Sequence, residues 1–138
     1  MATYSHQNVT LRGFHWEVSS LTFNLATGIV DADVGKAVSL DASGANKVKL
    51  AGDGDTIIGR LSTIENRSVE GSLIGAVELQ FANLLPIKAG EVVAVADTVV
   101  GAGNGEVKAL KNAGASAPNH SINFVAEVIG SYAVVVKV

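Results

Sequence analysis

The chain contains no cysteine. Disulfides, thiolate metal sites and a cysteine nucleophile are therefore excluded. Aromatic residues make up only 5% of the 138 residues. The core must be built largely from Ala and Val, which suits tightly packed sheets and invites further burial by association. Charged residues are 17%, below the usual quarter or so, and a surface low in charge is easily buried against another protein. The ten Lys and Arg are scattered within a net charge of -3. The clustered cations that phosphate binding requires are missing, so no nucleic-acid partner is expected. No stretch approaches the roughly 18 uninterrupted apolar residues of a spanning helix, and no membrane partner is expected. Residues Met1 to Gln7 carry neither the basic nor the apolar region of a secretory signal, so synthesis in the cytoplasm is expected.

Helix signals are equally scarce. No capping residue opens a sustained run of helical period, and the best candidate is Gln80–Leu85, barely one turn before Pro86. What the sequence does contain is a cadence of short Val-, Ile- and Leu-rich runs closed by Gly, Asn or Asp, the pattern of an all-β domain. Ala37–Leu40 and Lys47–Leu50 read as a hairpin across a six-residue loop containing Gly44. Ala51–Asp55 reads as a turn. Ile57–Ile64 reads as a strand interrupted at Gly59 by a bulge or close crossing, and Glu65–Ser68 as a turn. Val69–Leu79, Glu91–Val95, Thr98–Val100 and Glu106–Leu110 are further strands in this reading. Asn104-Gly105 is a strong turn dipeptide because both residues tolerate positive φ. Lys111–Ser121 is a polar loop. Gly130-Ser131 separates the last two strands, and Gly in first place fits a type II′ turn. Ala133–Val136 is apolar on both faces, which places it mid-sheet or at a subunit contact.

Residues 1–27 differ from the rest. They hold Tyr4, Phe14, Trp16 and Phe23 and two of the three histidines. From Phe14 the residues alternate, with Phe14, Trp16 and Val18 on one face and His15 and Glu17 on the other, as in a half-buried strand. The preceding residues read either as a frayed terminus or as an arm that orders on a partner. The expected organisation is an N-terminal arm and first strand over residues 1–27 and a single β-rich domain over 28–138.

No catalytic constellation accompanies this pattern. His15 and Glu17, with His6, would make a zinc site only with closer partners, and solvated polar positions explain them better. Asp53-Gly54-Asp55 lacks the further ligands of a calcium loop. Gly101–Gly105 is followed by strand-like residues rather than the helix that a phosphate cradle needs. No Gly-x-Ser-x-Gly elbow is present. The expectation is a non-enzymatic protein without metal or cofactor.

The stretch from about Gly28 to Val138 resembles the capsid decoration, or cement, proteins of tailed bacteriophages, in their small all-β, Ala-, Gly- and Val-rich group. The resemblance is carried by Gly35–Asp41, Ile57–Leu61, Gly75–Leu79, Pro86–Val93 and the terminal valine strand. It implies a compact β-barrel or tulip-like β domain that acts as a homotrimer on the capsid exterior of the virion. There it would bind the expanded head and stabilise contacts between major capsid protein subunits. Tyr4, Phe14, His15 and Trp16 are the candidate capsid contacts, because the aromatics cluster there in an otherwise aromatic-poor chain. The competing expectations are a virion-fibre or other β-sandwich module with a glycan or protein ligand, and a small trimeric β enzyme with its site between subunits.

Overall fold

A computed structural model describes residues 14–15, 19–67, 69, 71–113 and 121–138, the side chains of residues 14, 15 and 72 excepted. Within them the chain forms eleven strands and two 3₁₀ turns, at Asp31–Asp33 and Leu110–Asn112, and no α-helix. The all-β expectation holds, with a closed barrel as one of its parts.

The barrel comprises β2 (Ser20–Leu25), β3 (Ala37–Leu40), β4 (Lys47–Leu50), β5 (Gly59–Arg67) and β6 (Ser72–Glu78). They close in the order β2-β4-β3-β5-β6, and β2, drawn from the 1–27 segment, closes the ring. Closing so few strands demands sharp bends. A bulge between Leu61 and Thr63 bends β5 against β6. Gly75 lies so close to β5 that a Cβ there would stand 2.5 Å from the Thr63 carbonyl oxygen. At Gly59 a Cβ would stand 2.5 Å from the Glu78 carbonyl oxygen, the close crossing expected of that position. Leu25, Ile29, Val38, Val48, Leu61 and Val77 fill the barrel.

The second layer is a four-stranded sheet in the order β1-β7-β11-β10. Its members are β1 (Phe14–His15), β7 (Phe81–Pro86), β10 (Asn123–Ile129) and β11 (Tyr132–Lys137). As expected of its valine run, β11 lies mid-sheet and is buried on both faces from Ala133 to Val136. The turn before it has Gly130 at φ 58 and Ser131 at ordinary φ, which fits type II′.

Between barrel and sheet runs a ribbon, β8 (Val99–Gly103) and β9 (Glu106–Ala109). Asn104 and Gly105 make its turn with φ of 52° and 75°, the two positive values of type I′. The glycines here serve close packing. Gly101 accepts from Gly54 N–H and donates to the Asp55 carbonyl, both at 2.8 Å, and Gly105 donates to Ala51 O at 3.1 Å. A Cβ at Gly105 would lie 2.7 Å from Lys36 Cβ. Val99 and Val107 of the ribbon share one core cluster with Ala37, Ala51 and Ile57 and with Phe81, Leu85, Val125, Ala133 and Val135 from the inner face of the sheet.

Several expectations are corrected. Phe81–Pro86 is strand rather than a helical turn, because it is bracketed by β1 and β11. Glu65–Arg67 continues β5 rather than turning, and β6 begins at Ser72 rather than Val69. Glu91–Val95 is not a strand. Among the described residues no strand pairs with it, and Val92 and Val95 face solvent. Asp53-Gly54 is a turn as expected, with Asp53 paired to Lys108 Nζ at 2.6 Å.

One turn is held under strain. Ala96 has φ 79, a conformation that costs an L-residue about 1–2 kcal/mol. The turn is braced by Asp97, whose carboxylate accepts from Ala94 N–H at 2.8 Å and lies 3.3 Å from Lys111 Nζ. Ala96→Gly is expected to stabilise the protein by about 1 kcal/mol, read as a raised urea midpoint at unchanged slope.

Candidate docking face

The register of the four-stranded sheet decides which residues share its outer face. Phe124 pairs with Val136, Val136 with Ala82, and Ala82 with Phe14, a single row across all four strands. The next rows are Glu127–Val134–Leu84 and Ile129–Tyr132–Pro86. At the other end Val138 N–H donates to Ile122 O at 3.1 Å, which extends the face by one more apolar pair.

The face is apolar and its rim is open. Ile122 is 70% exposed, Phe124 45%, Tyr132 46% and Val138 54%, while Val134 beneath them is 1% exposed. Glu127 is the one charged residue in these rows. The exposed apolar side chains form two groups on the rim, Ile122, Phe124 and Val138 at one end and Ile129 and Tyr132 at the other, with the buried Ala82, Val134 and Val136 between them. Exposed apolar groups of this kind mark interaction sites in folded proteins.

A buried asparagine sets the phase. Asn123 turns inward and acts as a backbone surrogate for β8. Its Oδ1 accepts from Val99 N–H at 2.8 Å, and its Nδ2 donates to Val99 O at 3.2 Å and Ser121 Oγ at 2.9 Å. With Asn123 and Val125 inside, period two sends Ile122 and Phe124 outside. The bulge between Val125 and Glu127 then re-aims the rest of β10.

Part of β10 and the stretch of β7 beyond β1 are closed where they would otherwise invite another strand. Along β10, Val125 donates to Asp97 O and accepts from Ala96 N–H, each at 2.8 Å, and Thr98 Oγ1 donates to Asn123 O at 3.1 Å. Along β7, beyond the two residues covered by β1, Leu84 N–H donates to Asn83 Oδ1 at 2.8 Å, and Leu84 O accepts from Arg60 Nε at 3.0 Å. Arg60 also lies 3.7 Å from Glu78, and both side chains are largely buried. Burial pushes the Arg60 guanidinium below its usual range, and Glu78 partly restores it. A cleft of about 300 Å³ beside this contact is lined by Val34, Lys36, Arg60, Leu84, Pro86 and Tyr132.

Of the four residues expected to contact a partner, Tyr4 and Trp16 lie outside the described residues. Phe14 and His15 are placed by register alone, opposite Ala82 and Phe81. Phe14 therefore continues the Phe124 row, whereas Ile122, Phe124 and Ile129 were not singled out from sequence, and Tyr132 stood out only as an aromatic for a glycan site. The signal that would have found them is the polar Asn123, which forces its apolar neighbours outward once it is placed inside.

The chain matches no protein-family model, no curated protein and no solved structure in the comparisons made.

Among the described residues no three His, Cys, Asp or Glu side chains group closely enough to hold a metal ion. A groove of about 510 Å³ at the barrel's end is lined by Leu25, Ile29, Val30, Leu73 and neighbours and contains no titratable side chain. No helix of the described residues is long and apolar enough to cross a membrane. The chemistry on offer at the sheet face is apolar contact with an edge of polar recognition.

Proposed function

We propose that the chain is a capsid decoration, or cement, protein. In this reading a homotrimer sits on the outside of an expanded phage head and stabilises contacts between major capsid protein subunits. The observation that carries the reading is the apolar outer face of the four-stranded sheet. The sequence resemblance and the low surface charge support it. Docking by the face, rather than by strand addition, is supported by the closed stretches of β7 at Leu84 and of β10 at Asn123 and Val125.

The mechanism is mass action. A domain that binds only the assembled, expanded shell stabilises that shell by its binding free energy, multiplied over many copies. Each half-exposed apolar side chain of the face adds roughly 1 kcal/mol when covered, at about 25 cal/mol per Å². No reaction step and no cofactor enters.

Ile122→Ser with Phe124→Ser tests the reading. Both side chains are exposed, so the fold is expected to survive. Occupancy on expanded shells is expected to need at least about tenfold more protein, the equivalent of about 1.4 kcal/mol. Unchanged occupancy would remove the face from the account. Glycan binding through Phe124 and Tyr132, with no shell binding, would favour the fibre-type module instead.

A further inference from the structure

The junction between barrel and sheet holds a cation, Lys137, with no carboxylate partner among the described residues. Leu79 and Gln80 connect β6 to β7 and are fixed there by Leu79 N–H donating to Ser19 O at 2.9 Å and Ser19 Oγ donating to Gln80 O at 3.0 Å. Lys137, at the end of β11, reaches this connection and donates from Nζ to Leu79 O at 2.8 Å.

Five other lysines, Lys36, Lys47, Lys49, Lys108 and Lys111, each lie within 4.0 Å of an aspartate. Lys137 is half-buried, and among the described residues no carboxylate pairs with it. Burial lowers its pKa. An ammonium has three protons to donate, and the carbonyl of Leu79 takes one.

Lys137 lines a groove of about 410 Å³ together with Ser19, Leu21, Leu79, Gln80 and Val138, and its ammonium lies at the Leu79 carbonyl on that groove's wall. Leu21 and Val138 are each 54% exposed on its rim. Val138 also belongs to the last row of the docking face, so the groove is continuous with that face. One point cation flanked by the apolar Leu21, Leu79 and Val138 and by the polar Ser19 and Gln80 suits a single carboxylate on an aliphatic stem. A phosphate group would call for the forked guanidinium or several cations, which the groove lacks.

We propose that this groove is a carboxylate-binding subsite, filled by an Asp or Glu side chain of the protein that covers the docking face. The identity of that protein as a capsid subunit rests on the reading above; the carboxylate chemistry does not.

Two measurements keep the two apart. The full-length ¹⁵N-labelled chain is titrated with sodium propionate against sodium chloride at equal ionic strength, and the amides of Leu79, Gln80 and Val138 are followed. Saturable shifts are expected in the wild type. They should be weakened about tenfold or more in Lys137→Met, the loss typical of one charge-assisted hydrogen bond, and retained in Lys137→Arg. Non-saturating shifts, or the same curve in Lys137→Met, would overturn the subsite. On expanded shells, Lys137→Met is expected to lower occupancy and Lys137→Arg to restore it. Full occupancy by Lys137→Met, with loss in the Ile122/Phe124 variant, would overturn the subsite and leave the docking face standing. Failure of the wild type to bind shells would overturn the capsid reading, while the propionate titration would still decide the carboxylate chemistry.

Discussion

Gly101→Ala is expected to destabilise the protein by about 3–5 kcal/mol, from overpacking at the seam together with loss of two backbone hydrogen bonds. The added Cβ would run into the Gly52 carbonyl oxygen and stand 3.0 Å from Ala51 Cβ. Neither neighbour can rotate away, because both belong to the backbone segment that leaves β4. The ribbon would have to lift off the barrel, and its bonds to Gly54 and Asp55 would break. Gly103→Ala is the control. Its φ of 106° carries strain, but nothing lies within 4 Å of the new Cβ, so a smaller loss of about 1–2 kcal/mol is expected. Urea unfolding of the two variants reads the difference in midpoint. Equal losses would mean that the glycines serve backbone conformation alone and not the close approach.

Arg60→Ala is expected to cost about 3–5 kcal/mol, the usual result of stranding one member of a buried ion pair. The remaining Glu78 is buried, and its Oε2 already has no hydrogen-bond partner. The Leu84 carbonyl at the β7 edge would lose its donor as well. Removing both charges with packing preserved, as Arg60→Met with Glu78→Leu, is expected to recover most of the loss. The double-mutant cycle reads the coupling directly. Additive single and double effects would show that the pair contributes little and that Arg60 acts through packing on Gly35 and the carbonyl of Leu84.

The strands were legible where turn chemistry and alternation agreed. Asn104-Gly105 and Gly130-Ser131 each fixed a hairpin, and the valine run of β11 announced a strand buried on both faces. β7 was obscured because Asn83 interrupts its apolar residues and Pro86 ends it. Its strand character comes from β1 and β11 on either side, which no local signal records. The reverse holds for Glu91–Val95, whose valines have strand propensity but, among the described residues, no neighbouring strand to pair with. The docking face escaped sequence reading for a different reason. Alternation around Asn123 shows that a strand is present, but apolar Ile122 and Phe124 would by default be assigned to the interior. Only the side-chain amide of Asn123 completing β8 puts them outside. The glycines of Gly101–Gly105 drew attention as a phosphate cradle or a hairpin loop, and their tight contact with Ala51 and Lys36 is set by the tertiary fold.

The most direct test of the account is cryo-EM of purified tailed-phage heads from the cognate virus, before and after expansion, incubated with the full chain. The account predicts density on expanded heads only, at ordered positions between capsid subunits, with Ile122, Phe124, Tyr132 and Val138 facing the shell. Absence of density on both forms, or density seated through the barrel with the sheet face left in solvent, would contradict it.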